Sequence, residues 1–228
     1  MNFFKPGSKN LITDVKNLFI GNSENELINT GSTILSCNDR FTASYRVLGG
    51  APGTRETDLL EPDKLVEKID ALVLSGGSAF GLEAASETVN LLRKDNKGYV
   101  VGNYNIPIVP SAIIFDLING GEKTWEKNPY IDLANQAYND LSSSFKLGSY
   151  GAGKGATAGN IKGGLGSASL IINNKYTVGA LIVVNSFGSV VVNDEFPVSV
   201  RSTITLFIPI ILSVSVPPPP SMVVACIS

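Results

Sequence analysis

Residues 71–81 have the sequence ALVLSGGSAFG, a short apolar run followed by two glycines between serines. Apolar residues then recur at near-helical spacing, so the pattern predicts a strand, a tight glycine turn and a helix over about 79–94. Ser78 suits the N-cap of that helix. Alternatively, the amides around Gly76 and Gly77 could bind an anion or a carbonyl oxygen.

The chain on either side of this unit predicts a mixed α/β protein. Short β-prone segments bounded by turn residues indicate strands, and longer segments with helical spacing indicate helices. The predicted strands lie within 9–36, starting at Asn10–Val15, and at 167–172 and 178–185. One further helix is predicted to begin at Glu61, with Pro62 in its first turn and an apolar face of Leu65, Val66 and Ile69. Another helix is predicted at 131–141.

The 228 residues include no histidine. This count excludes Ser-His-Asp and Cys-His catalysis and zinc sites of the usual histidine-containing kinds. Two cysteines cannot form a four-cysteine metal site, and no metal or cofactor is expected. A hydrolase of this composition needs a lysine, a carboxylate or a chain-terminal amine as its base.

The net charge of −2 is not concentrated in any basic run, so no nucleic-acid partner is expected. The N-terminal residues lack the apolar region and cleavage site of a secretory signal. The apolar run at 203–216 is too short to span a bilayer. We therefore expect a cytoplasmic protein with no membrane partner.

Composition changes near Pro197. Segment 197–228 contains one charged residue, Arg201, and four consecutive prolines at 217–220. We therefore divide the chain into a domain at 1–196 and an atypical apolar, proline-rich tail at 197–228. The run at 203–216 could fill a strand position at an otherwise unpaired sheet edge, where exposed backbone groups promote aggregation.

Two glycine-rich loops each have a functional and a structural interpretation. Residues 148–154 fit the G-x4-G-K pattern, but a phosphate loop needs Ser or Thr next, and Gly155 stands there. The alternative interpretation is that residues 148–154 form a flexible glycine loop. In the loop at 49–58, Arg55 could pair with Glu56 or Asp58, which would make it a scaffold residue.

Five blocks, at 49–60, 75–84, 107–117, 151–169 and 178–188, resemble in order and rough spacing the signature blocks of the DmpA/NylC family, peptidase family S58. The resemblance covers about residues 9–196. It implies an α/β fold, an αββα-type layered sandwich shared with ornithine acetyltransferases, incomplete here at the C-terminus. It also implies a homo-oligomer acting on small peptides or amides.

The resemblance further implies a mechanism. Family members cut their own chain before a Ser or Thr, and the new N-terminal residue becomes the nucleophile with its α-amine as base, chemistry that needs no histidine. An acyl-enzyme forms and water releases it.

Some of the site residues that the resemblance implies match this sequence and others do not. Asn185, at the end of a predicted strand, matches the oxyanion asparagine. The family's lysine position holds Asn160, and Lys162 is the candidate substitute. Ser202 is the candidate nucleophile, with Thr203 as second choice. Gly76, Gly77 and Ser78 are the expected substrate-binding residues.

Two functional hypotheses remain open at this stage. The first is an autocleaving N-terminal-nucleophile aminopeptidase or amidohydrolase. The second is a truncated or frameshifted, inactive relative, because no charged residue follows Ser202 and the family's C-terminal carboxylates have no counterpart.

Overall fold

The computed structural model of the protein describes residues 3–48, 50–187, 210–215 and 222–227. Within these ranges the chain forms fourteen strands and two α-helices. The helices are α1 (Glu83–Lys94) and α2 (Tyr130–Asn139). The strands are β1 (Phe4–Pro6), β2 (Leu18–Asn25), β3 (Thr30–Val47), β4 (Thr54–Arg55), β5 (Ile69–Ser75), β6 (Tyr99–Val101), β7 (Tyr104–Ile106), β8 (Ser111–Ile113), β9 (Thr157–Ala158), β10 (Ile161–Lys162), β11 (Gly164–Ile172), β12 (Tyr176–Val184), β13 (Ile210–Ser215) and β14 (Met222–Ile227).

The strand–turn–helix unit predicted around residue 75 is confirmed. β5 ends at Ser75, a 3-10 helix covers Ser78–Leu82, and α1 follows directly. The helix predicted at 131–141 corresponds to α2, and the two strands predicted near 170 and 180 correspond to β11 and β12. The class is α/β, as expected.

The helix predicted from Glu61 is wrong. Residues 61–68 form turns and irregular chain, and Ile69 is the first residue of β5. The residues predicted to share an apolar helix face are separated in the fold: Leu65 is 96% exposed, whereas Ile69 is completely buried and pairs with Phe41 of β3. Pairing in the sheet therefore overrides the local helical spacing.

The strand predicted to start at Asn10 is also wrong. Ile12–Asp14 form a 3-10 turn instead. The carboxylate of Asp14 accepts the backbone N–H groups of Lys9 and Leu11, which stabilises a turn over an extended strand.

The eighteen-residue strand β3 connects two parts of one large sheet. Its first half pairs antiparallel with β2 on one side and with β5 on the other. After a register shift between Ser36 and Phe41, residues 42–47 pair in parallel with β14. The complete ten-stranded order is β1-β11-β12-β13-β14-β3-β5-β8-β4, with β2 pairing β3.

Side chains alternate along β5 and separate two apolar layers. Ala71 and Val73 pack towards the helices, in a cluster with buried residues of α1 and α2. Leu72 and Leu74 belong to a second cluster that includes Leu181 of β12. The helices therefore pack on one face of the part of the sheet that contains β5, and the part that contains β12 packs on its other face. This order matches three layers of the expected αββα arrangement.

The apolar tail supplies strands to this sheet. β13 pairs antiparallel with β12, with Leu212 opposite Ala180, and β14 continues from β13 to β3. The expectation that part of 203–216 fills a strand position is thus confirmed for 210–215. The domain boundary at 196/197 stays a prediction.

Neither described helix is long and apolar enough to cross a membrane.

Breaking the β12–β13 ladder should destabilise the protein. Leu212→Pro removes a backbone N–H from β13, and proline is not tolerated inside a sheet. We expect a melting temperature several degrees lower, more aggregation, and faster amide exchange in β12, measured by calorimetry and hydrogen exchange. Leu212→Val is the matched control. An unchanged melting temperature for Leu212→Pro, with the tail removed by limited proteolysis at no cost in stability, would contradict this pairing.

Candidate active site

A buried carboxylate organises the glycine turn after β5. Asp116 is completely buried. Its Oδ1 accepts the N–H of Gly77 (2.7 Å), and its Oδ2 accepts the hydroxyl of Thr30 (2.6 Å), which also shares a hydrogen bond with the hydroxyl of Tyr130 (3.0 Å). Burial raises the pKa of Asp116, while the hydrogen bonds from Thr30 and Gly77 and the charge of Lys123 act in the opposite direction.

Only glycine fits at the two central positions of the turn. A Cβ atom on Gly76 would collide with Asp116 and with the Thr30 hydroxyl. Gly77 has φ +85°, and a Cβ atom there would collide with the ring of Tyr130. The glycines therefore let the chain approach the buried Asp116 network closely.

The backbone amides of the turn already have partners. Gly76 donates to the carbonyl of Gly31 (2.9 Å), Gly77 donates to Asp116, and Ser78 donates to the carbonyl of Ile114 (3.0 Å). In this structure the three amides therefore bind groups within the fold, and their binding of an anion or a carbonyl oxygen stays a prediction. Their role here is to shape the turn.

Ser78 is also not the predicted N-cap. It lies inside the 3-10 helix at φ +53°, with Gly77 preceding it, and no side-chain cap bond is present. A non-glycine residue at positive φ is uncommon and indicates a conformation imposed by its surroundings.

A cleft of about 480 Å³ opens beside Ser78. This volume falls within the range of roughly 300–1,000 Å³ that is common for small-molecule sites. Neither Gly76 nor Gly77 lines it. The lining residues are Ala51, Ser78, Ile113, Ile114, Phe115, Ile118, Asn119, Thr157, Gly159, Asn185, Ser186 and Phe187.

Asn185 lies on the wall of this cleft, directly after β12, as its sequence pattern predicts. Its Oδ1 accepts the N–H of Thr157 (2.9 Å) and a longer bond from Nδ2 of Asn119 (3.4 Å). Its Nδ2 donates to the carbonyl of Phe115 (3.0 Å). The Thr157 N–H fixes which end of the amide is the acceptor, so Nδ2 keeps a second N–H for another partner.

Lys162 lies close to the cleft but does not line it. It is the strand partner of Thr157 in the β9–β10 pair, and its Nζ donates to the carbonyl of Lys154 (2.5 Å). Burial of its amine, followed by the charge of Lys154, lowers the pKa of Lys162. Asn160, at the family's lysine position, is exposed.

Ser202 and Thr203 lie outside the described residues. The structure therefore brings Ser78, Asn185 and, at its border, Lys162 together, and the nucleophile stays a prediction.

The loop at 148–154 is built into the fold. Gly151 donates its N–H to Glu24 (3.0 Å), Ala152 donates to the hydroxyl of Thr33 (2.9 Å), and the Lys154 amine pairs with Glu26 (2.5 Å). These amides and this amine are the groups that a phosphate would need, so the phosphate-loop reading finds no support here.

Arg55 does not pair with Glu56 or Asp58, as one reading of its loop suggested. Its guanidinium donates to the hydroxyl of Ser86 on α1. Glu56 instead accepts the N–H of Val109 (3.1 Å).

Sequence reasoning missed Asp116, Thr30, Tyr130 and Asn119. A single carboxylate directly after the apolar run 106–115 was the available signal for Asp116, because a charge at the end of a buried segment needs partners. The partners are distant in the chain and leave no local pattern.

The buried carboxylate makes a pH-dependent prediction. Since burial raises the pKa of Asp116, the folded chain holds this proton more tightly than the unfolded chain. The resulting stability is present below the ordinary aspartate pKa of about 3.9 and is lost as pH rises through the raised value. The free energy of unfolding of the wild type relative to Asp116→Asn should therefore fall as the pH rises above about 4.

Urea unfolding of both proteins across this pH range measures the difference. The exposed Asp63→Asn variant controls for the change in net charge. A relative stability of the wild type that rises with pH would mean that the hydrogen bonds to the carboxylate outweigh its burial.

Comparisons with known proteins agree with this fold. A protein described as an uncharacterized aminopeptidase of Mycobacterium tuberculosis is 46% identical over 143 residues, and one of Mycobacterium leprae is 45% identical over 148 residues. Each match covers 63% of this chain but only 41% of the relative. The chain thus spans less than half the length of these curated relatives.

Two solved structures share the fold. The L-aminopeptidase D-Ala-esterase/amidase of Ochrobactrum anthropi, described as a variant of the Ntn hydrolase fold, superposes with a TM-score of 0.68 and 16% identity, covering 98% of this chain and 75% of that protein. The PH0078 protein of Pyrococcus horikoshii gives a TM-score of 0.65 and 24% identity, covering 82% and 57%. A sequence model described as peptidase family S58 matches residues 10–203, most of the chain, and the chain belongs to that family.

Proposed function

We propose that this chain acts as an N-terminal-nucleophile aminopeptidase or amidohydrolase on small peptide, amide or ester substrates. The observation that carries the proposal is the Asn185 amide. It is held on the wall of the cleft with its acceptor fixed by Thr157 and with one N–H beyond its bond to Phe115. Such a pre-oriented donor suits a carbonyl oxygen on which negative charge develops.

The proposed chemistry begins with self-cleavage: the peptide bond between Arg201 and Ser202 is hydrolysed by water, which leaves a carboxylate on Arg201 and a free α-amine on Ser202. The new α-amine takes the proton of the Ser202 hydroxyl while its oxygen attacks the substrate carbonyl. Asn185 donates to the resulting oxyanion. When the C–N bond breaks, the leaving amine takes the proton from the α-ammonium group, and an ester to Ser202 remains.

Water completes the cycle. It attacks the ester carbonyl, the α-amine removes its proton, and the acid leaves as the Ser202 hydroxyl is restored. Lys162 pairs with Thr157 of β9, and its amine has a lowered pKa. This position supports a role for Lys162 in orienting the cleft wall at Thr157. We extend the proposal to an assembly of several copies, as the family resemblance implies.

The intact mass of the purified chain tests self-cleavage. After long incubation we expect two pieces, residues 1–201 and 202–228, and a single uncut chain for Ser202→Ala. Thr203→Ala is the neighbouring control and should still be cut. A wild-type chain that stays whole at 24.1 kDa would contradict the proposal and favour an inactive member of the family.

The role of Asn185 has a separate test. Asn185→Asp keeps an acceptor for the Thr157 N–H but removes the donor, so kcat on a small amide should fall about 10²- to 10³-fold with a smaller change in KM. Asn90→Ala, on the exposed side of α1, is the control. A fall in kcat accompanied by a clearly lower melting temperature would indicate that Asn185 has a structural role instead.

A further inference from the structure

The walls of the cleft contain no charged side chain among the described residues that line it. Half of the lining residues are apolar: Ala51, Ile113, Ile114, Phe115, Ile118 and Phe187. The polar ones are Ser78, Asn119, Thr157, Asn185 and Ser186, all uncharged. A charged substrate side chain placed against these walls would lose its hydration without gaining an ionic partner among them, which is costly.

Lys162 and Lys123 do not line the cleft. The Lys162 amine donates to the carbonyl of Lys154. The Lys123 amine donates to the carbonyl of Ile28, with a longer contact to that of Asn29 (3.4 Å). Among the described residues, the cleft walls therefore carry no cation that the side-chain carboxylate of a substrate could bind.

Large apolar side chains at this cleft are also exposed to water. Ile118 is 80% exposed, Phe187 is 91% exposed and Phe115 is 48% exposed. Clustered exposed apolar residues around a cleft are typical of a ligand-binding surface. Covering them with an apolar group removes apolar surface from water, which stabilises a complex.

From these observations we infer that the cleft selects substrates whose side chain beside the scissile carbonyl is uncharged and apolar, branched aliphatic or aromatic, over acidic or basic ones. This inference rests on the proposed function, since it treats the cleft beside Asn185 as the acyl side of the same site. The uncharged polar groups hold the amide of the substrate, and the apolar wall holds its side chain.

Binding, rather than turnover, tests the inference. Calorimetric titration of the Ser202→Ala chain with leucinamide, lysinamide and the α-amide of aspartic acid compares side chains while the α-amine and the amide stay the same. We expect the leucine compound to bind at least about tenfold more tightly, a difference of about 1.4 kcal/mol. Equal affinities for the three would overturn the inference.

A charge variant makes the test sharper. Ile118→Glu should weaken leucinamide binding and strengthen lysinamide binding, because it adds a carboxylate at the cleft. Leu65→Glu adds the same charge at a position that is 96% exposed and outside the cleft, and it should leave both affinities unchanged. An Ile118→Glu protein with the wild-type order of affinities would place the ligand elsewhere and overturn the inference.

The two proposals fail in different ways. An uncut wild-type chain that still prefers leucinamide would reject the proposed function and retain the binding preference. A chain that cleaves itself but binds all three compounds equally would retain the function and reject the preference.

Discussion

The hydrogen bonds that the buried Asp116 carboxylate accepts from Gly77 and Thr30 fix the geometry on which the candidate site depends. They hold the chain in a left-handed turn where β5 ends, and this turn directs Ser78 to the cleft wall. They also connect the turn to Tyr130, the first residue of α2. One buried side chain thus joins a strand end, a turn and a helix.

The same region supports Asn185 from the opposite side. Asn119 follows Asp116 closely in the chain and donates both to the carbonyl of Gly155 (2.9 Å) and, at longer distance, to Asn185. Phe115, the residue before Asp116, supplies the carbonyl that accepts from Asn185. Residues 115–119 therefore link the glycine turn to the proposed oxyanion donor, although the two come from different parts of the sheet.

The sequence predicts the parts of the fold that local pattern controls. The strand–turn–helix unit at 71–94, helix α2 and Asn185 at the end of β12 follow from apolar spacing and turn residues. The helix predicted from Glu61 is wrong because Ile69 pairs with Phe41 in the sheet. No local sequence pattern shows this pairing. Likewise, the occupied amides of Gly76 and Gly77 depend on Gly31 and Asp116, far away in the chain.

Amide hydrogen exchange at Gly77 in the wild-type protein tests the central claim most directly. If the buried carboxylate holds the turn, the Gly77 N–H should exchange about as slowly as the amides of β5, such as that of Leu72. Gly102, where an added Cβ atom would have no neighbour within 4 Å, provides the fast reference in the same molecule. A Gly77 amide that exchanges as fast as that of Gly102 would contradict the account, because the turn would then not depend on Asp116.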